Sequence, residues 1–300
     1  MRKFLQDIII CFMFFMTIWV VAEISKEKIY IPNGYSYKYK QVKGNPSIKT
    51  LLIGHSHFER CINPYLMGDS VYVFAINGRR WIYWDLRLAE QIIPTMSNLQ
   101  TVIFPLGYDM PYESPHYRNL TDIDKECIYQ YTKNMHVKYD RFPQNYLYGS
   151  ALISNNMKIT WWHEKNQDPL GYYKLEGHSS RWEIDQNVRP DVYMGDIAKL
   201  CYQEYQQYLI ALAKVCTDYN IRFIVVTCPC ADCYVKNTRK EGVDNLYALI
   251  DSVRIHYPVE YINYMDDAEF RADSLFYNSS HLNAIGADKF AIRVKNDFQL

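Results

Sequence analysis

Ser56 stands in the string Gly54-His55-Ser56-His57, directly after the apolar run Leu51-Leu52-Ile53. Such a run, closed by a glycine, reads as a buried strand and puts the serine on a strand-to-loop turn. In an open α/β sheet ligands bind outside the carboxyl ends of the strands, which is where a reactive hydroxyl would be useful. Far along the chain, Phe276-Tyr277-Asn278-Ser279-Ser280-His281-Leu282-Asn283 supplies a histidine just ahead of a helix. Acyl transfer needs a nucleophile and a base within hydrogen-bond reach of it. The expectation is that Ser56 and His281 meet in space.

A second group with chemical potential is Cys228, Cys230 and Cys233, crowded at the end of an apolar run. Three thiolates and a histidine can hold zinc, but such sites usually show a second ligand pair, so the reading here is no metal and no cofactor. In an exported chain a disulfide is the alternative, within this cluster or from it to Cys61 or Cys127. Cys201 and Cys216 fall on the apolar face of a helix and read as core.

The elements that must position these residues alternate. Val71–Ile76 reads as a second strand ending at Asn77-Gly78, and a helix with Leu88, Ala89, Ile92, Ile93 and Met96 on one face follows. Thr101–Phe104 is a third strand, ending at Pro105 and Gly107. Residues 110–192, with Pro111, Pro115, Pro143 and the Trp161-Trp162-His163 cluster, lack a long periodic segment and read as a cap or insertion over the sheet. Regularity returns with a helix over Ile197–Cys216, a strand over Ile221–Thr227, a helix through Val243, Leu246, Tyr247, Ile250 and Val253, and a strand over Val259–Ile262. The last helix starts after Asn283, a good N-cap. Alternating strands and helices predict an α/β fold with a mostly parallel sheet and helices on both faces.

At the N-terminus Arg2 and Lys3 precede an apolar run from Ile8 to Ala22, the pattern of a positive n-region and a hydrophobic h-region. Residues 1–23 therefore read as a signal anchor or signal peptide, with the uncleaved anchor preferred although Val20 and Ala22 would serve as a cleavage site. The positive-inside rule then puts everything after about Glu23 outside the cytoplasm, in the periplasm or at the cell surface. Residues 24–47 read as a tether and 48–300 as the domain. Lysine plus arginine equals aspartate plus glutamate at 33 each, which gives no electrostatic footprint for nucleic acid and sets that class aside. Twenty-eight tyrosines and six tryptophans suit a cleft that stacks on sugars, and equally well suit ordinary packing.

Gly54-His55-Ser56-His57 after the first strand, Gly78 after the second, Gly107 after the third and Asn278–Ala287 before the last helix together resemble the SGNH (GDSL-like) hydrolases, over roughly residues 48–298. The resemblance implies a flavodoxin-like three-layer α/β/α fold and a serine esterase or acyltransferase. Ser56 would be the nucleophile, His281 the base, and the backbone N–H groups of Ser56 and Gly78 the oxyanion donors. The membrane-anchored arrangement is similar to bacterial relatives that move or remove acyl groups on surface polymers, including D-alanyl transfer proteins of teichoic-acid synthesis and acetylation proteins of exopolysaccharide assembly. That implies an acylated polysaccharide as substrate and polysaccharide-assembly proteins as partners.

The chain departs from the family in three places. Asn278 stands where an aspartate usually precedes the histidine, and it can orient an imidazole without stabilising the imidazolium by charge. The histidine would otherwise lean on a backbone carbonyl or on Asp273. No asparagine follows the third strand, since Gly107 is followed by Tyr108-Asp109, and an ionised Asp109 offers no donor. His55 replaces a common aspartate, and with His57 it reads as a loop or capping side chain that could assist the site. Gly-His-Ser-His also resembles a metal-binding turn of calcineurin-like phosphoesterases, whose further blocks would have to precede it, where only anchor and tether lie. The competing function is a catalytically inactive, carbohydrate-binding or scaffold protein of a polysaccharide assembly complex.

Overall fold

The runs that read as strands in the sequence are strands because they are apolar nearly throughout, the pattern of strands covered on both faces. In the computed structural model these are β1 (Thr50–His55), β2 (Val71–Ile76), β3 (Thr101–Pro105) and β4 (Arg222–Thr227), buried along almost their whole length, with β5 (Glu260–Asn263) partly exposed. They form one sheet in the order β2-β1-β3-β4-β5, and every neighbouring pair is parallel. The structure describes residues 2–29, 35–78, 81–121, 124, 127–128, 131–132, 135–137, 168–187 and 195–300. Pro143, the Trp161-Trp162-His163 cluster and much of the 110–192 insertion lie outside the described residues.

The helices, in chain order, are α1 (Arg2–Ile29), α2 (Tyr35–Val42), α3 (Ser56–Cys61), α4 (Ile82–Ile92), α5 (Trp182–Asp185), α6 (Asp196–Asp218), α7 (Asp232–Val235), α8 (Lys240–Arg254) and α9 (Ala284–Phe298). One face of the sheet, through Leu52, Val73, Ala75, Ile103, Ile224 and Val226, packs on Phe58 and Cys61 of α3 and on Phe290, Ala291, Val294 and Phe298 of α9. On the opposite side α6 packs between α4 and α8, with α4 against β1 and α6 against β4. The result is the expected three-layer α/β/α arrangement with the 2-1-3-4-5 strand order of flavodoxin-like folds. Each large side chain buried this way contributes roughly 1.5–3 kcal/mol. A small antiparallel pair, β6 (Phe276–Asn278) and β7 (His281–Leu282), lies outside the main sheet.

The strand order reverses between β2-β1 on one side and β3-β4-β5 on the other, so the switch point lies at the carboxyl end of β1. That end is where Ser56 begins α3. Gly54 has φ +134°, and a Cβ there would come within 2.4 Å of the Pro105 ring. Only glycine lets β1 pass that close to β3 in this conformation.

Two readings of the sequence change. A helix, α2, stands inside the stretch read as an aperiodic tether, and its Tyr39 and Val42 are buried. The turn expected after β1 is a short helix, α3. The chain falls into two compact units, Met1–Tyr37 with Ile128–Gln167, and Lys38–Cys127 with Asp168–Leu300, the second holding the sheet. In α1 the segment Lys3–Val21 is long and apolar enough to cross a membrane, with a mean hydropathy of 2.2 and no part of it buried. It has the length and composition of a membrane anchor or a signal sequence.

Candidate active site

His55 ends β1 in extended conformation and acts as the N-cap of α3, its Nδ1 accepting from the His57 N–H at 3.5 Å. That places Ser56 at the first helical position, where a backbone N–H has no intrahelical partner. From the other end of the chain, β6 and β7 present Asn278 and His281. The Ser56 Oγ and His281 Nε2 atoms lie 2.8 Å apart, though the two residues are 225 positions apart in sequence. α3, β7 and the start of α9 are in mutual contact, which brings the two ends of the chain together.

The protonation pattern of this pair follows from its neighbours. Asn278 Oδ1 accepts from the backbone N–H of Ser280 at 3.1 Å and of His281 at 2.8 Å, so the oxygen, not the amide nitrogen, faces inward. The same oxygen lies 3.0 Å from His281 Nδ1. Two acceptors cannot share that contact, so Nδ1 carries the hydrogen and Nε2 turns a lone pair to the Ser56 hydroxyl. Ser280 Oγ stands 3.2 Å from the same Nδ1 and adds a second acceptor. The arrangement can take a proton from Ser56 and return it.

The remaining residues singled out in the sequence fall around this centre. The His57 ring packs on both neighbouring imidazoles, with centroids 4.9 Å from His281 and 4.7 Å from His55. Gly78 follows β2 in a left-handed turn at φ +78°, at the same end of the sheet as Ser56. Asp109 stands just ahead of a 3-10 turn after β3 and is half-buried. Asp273 lies on an exposed turn, and it is Asn278 that meets Nδ1.

The cysteines are free thiols, so the disulfides raised from the sequence are not formed. Among the described residues, no group of three or more His, Cys, Asp or Glu is placed to hold a metal ion. Burial raises Cys228 and Cys230 well above the ordinary thiol value and keeps them neutral. Cys61 is pushed up to about 12 by burial, against a smaller opposite pull from the Leu282 N–H. That N–H donates to Cys61 Sγ at 3.2 Å, tying the end of α3 to the strand that carries His281. Cys201 and Cys216 are buried in the core, as their helical spacing suggested.

No protein-family model matches this chain. No curated protein matches it either. Among solved structures it is similar to one described as "a putative platelet activating factor from Streptococcus pneumonia", at 12% identity and a TM-score of 0.47, over 94% of this chain and 99% of that one. At that level the likeness says nothing about activity.

Sequence reasoning missed several residues that build this site. Ser280 carries no reading of its own in the sequence. Cys61 was weighed only as a disulfide partner. Nothing local marks Lys38 or Glu59, which form a buried ion pair at 3.2 Å beside α3. A further group that sequence reasoning missed, on α6 and the loop after β3, is Ser114, His116 and Glu204, in which His116 Nδ1 and Ser114 Oγ both hydrogen-bond the Glu204 carboxylate. The Trp81 ring packs edge-on to His116 at 4.4 Å, which fixes the start of α4 against the loop after β3.

Proposed function

We propose that this chain is a serine-dependent acyl-transfer enzyme, an esterase or O-acyltransferase, acting on ester-linked acyl groups. The observation that carries the reading is the Ser56 Oγ to His281 Nε2 contact of 2.8 Å, with Asn278 setting the histidine tautomer. His281 Nε2 takes the Ser56 proton as Oγ attacks the ester carbonyl. The oxyanion forms against the N–H groups of Ser56 and Gly78. As the carbon–oxygen bond to the leaving alcohol breaks, His281 returns the proton to that oxygen. The acyl-Ser56 ester is then resolved by water or by a sugar hydroxyl, His281 again accepting the incoming proton and returning it to Ser56.

The substrate class that fits best is an acetylated surface or secreted polysaccharide, with the domain held outside the cytoplasm by α1. Its support is the combination of an N-terminal apolar helix with an acyl-transfer constellation. A full-chain preparation in detergent, treated with an aryl acetate or a serine-directed phosphonate and read by intact mass, tests the chemistry. One covalent adduct is expected, absent from Ser56→Ala. A folded protein that gives no adduct and no turnover would return the chain to the carbohydrate-binding or scaffold reading, which the uncharged Asn278 would suit.

A further inference from the structure

Among the described residues β2 is an edge strand whose one strand neighbour is β1, so its outward-facing backbone groups take partners from elsewhere. The segment after Asp168 supplies one: the Val73 N–H donates to the Leu170 carbonyl at 2.8 Å. Gly171 follows at φ +80°, and a Cβ there would come within 2.1 Å of the Val73 carbonyl oxygen, so this strap lies directly on the strand. The next outward carbonyl, Ala75, accepts instead from the Lys38 ammonium at 2.6 Å. Lys38 also donates to the Gly171 carbonyl at 2.8 Å and to Glu59 Oε1 at 3.2 Å. It is 2% exposed, and Glu59 is 7% exposed.

The geometry of these contacts spans the site. Glu59 sits on α3, one turn beyond Ser56, and its backbone carbonyl accepts from the Tyr173 N–H of the strap at 2.7 Å. Ala75 is the last residue but one of β2, and the strand runs on through Ile76 and Asn77 into the Gly78 turn. We infer that Lys38 is a positioning residue for the Ser56 site, fixing the spacing between the helix that carries Ser56 and the strand end that leads to Gly78. The inference rests on the acyl-transfer reading above for its consequence, and on the contacts alone for its geometry. A buried ion pair is a weak device for stability, since apolar replacements often serve as well, but it fixes orientation through directed hydrogen bonds on three segments at once.

The test uses the full chain in detergent with Lys38→Met combined with Glu59→Gln, so that neither member of the buried pair is left charged without the other; Arg60, 3.9 Å from the second Glu59 oxygen, keeps a partly exposed side chain. The first readout is amide hydrogen exchange of the peptides spanning 74–78 and 56–60. The inference expects exchange to quicken by about tenfold or more there, while β3 and β4 keep their protection. The second is the rate of Ser56 labelling by the phosphonate against its concentration. The maximal rate is expected to fall about 10-fold to 100-fold with little change in half-saturation, because a small misplacement of the reacting groups costs rate more than binding. Unchanged exchange overturns the inference, and so does wild-type labelling speed in a variant whose exchange has quickened. Should the wild-type protein itself resist labelling, the acyl-transfer reading fails, and the exchange result alone decides whether Lys38 holds these segments.

Discussion

Asn278 Oδ1 accepts from His281 Nδ1 and carries no formal charge, yet the imidazole becomes a cation in the transition state of acyl transfer. Replacing it with aspartate adds the missing charge at the same place. Asn278→Asp is expected to raise the acylation rate by about tenfold and Asn278→Ala to lower it by about 100-fold, in a steady-state assay with an aryl acetate. Equal rates in all three proteins would remove Asn278 from the mechanism. Glu204 gives a prediction on stability. Burial alone would raise its carboxyl pKa, but hydrogen bonds from His116 and Ser114 outweigh this and hold it below the ordinary value of 4.5. A depressed folded-state pKa means that the unfolded chain binds more protons as pH falls past 4.5, so the stabilisation is present above that pH and is lost as pH drops through the folded value. The melting temperature of the wild type should therefore fall more steeply below that pH than that of Glu204→Gln. At neutral pH the same variant should be less stable by about 2 kcal/mol, measured by urea unfolding, for the weakened hydrogen bonds to a charged acceptor.

At the scale of elements, the strands and long helices were legible because their apolar runs are continuous or repeat at helical spacing. Asn283 was read as an N-cap, and its Oδ1 accepts from the N–H groups of Ile285 and Gly286, both at 3.1 Å. The short pieces were not legible. α3 has only Phe58 and Cys61 as apolar residues, too few to show a period, and β6 and β7 are shorter than any window that detects alternation. Lys38 lies among tyrosines and lysines that look like surface, and its partners Glu59, Ala75 and Gly171 are 21, 37 and 133 residues away. No local pattern encodes contacts at such separations. The pairing of Ser56 with His281 was foreseen only because two distant motifs were read together. The close approach of β1 to β3 carries its own prediction: Gly54→Ala meets both the Pro105 ring and an unfavourable φ, and should cost about 2–4 kcal/mol in thermal or urea unfolding. A loss below about 0.5 kcal/mol would show that β1 can shift to make room.

At the scale of the whole molecule, the apolar side chains of α1 between Phe4 and Val21 are almost all exposed, with Phe4, Phe12, Phe14 and Phe15 each more than 60% accessible. An apolar surface of that extent needs a bilayer or removal. Expressed in a bacterium, the full chain should fractionate with membranes and resist alkaline extraction if α1 is retained, or appear as a shorter soluble form if it is cleaved. Recovery of an intact, freely soluble chain would contradict both. The free thiols add a different use. Cys61 and Cys228 lie in the layer under Ser56, whereas Cys201 and Cys216 lie on α6 across the sheet. An alkylating reagent reaches a thiol of either set only when its layer opens, so the order in which the four are modified is a clock for the sequence in which this protein comes apart.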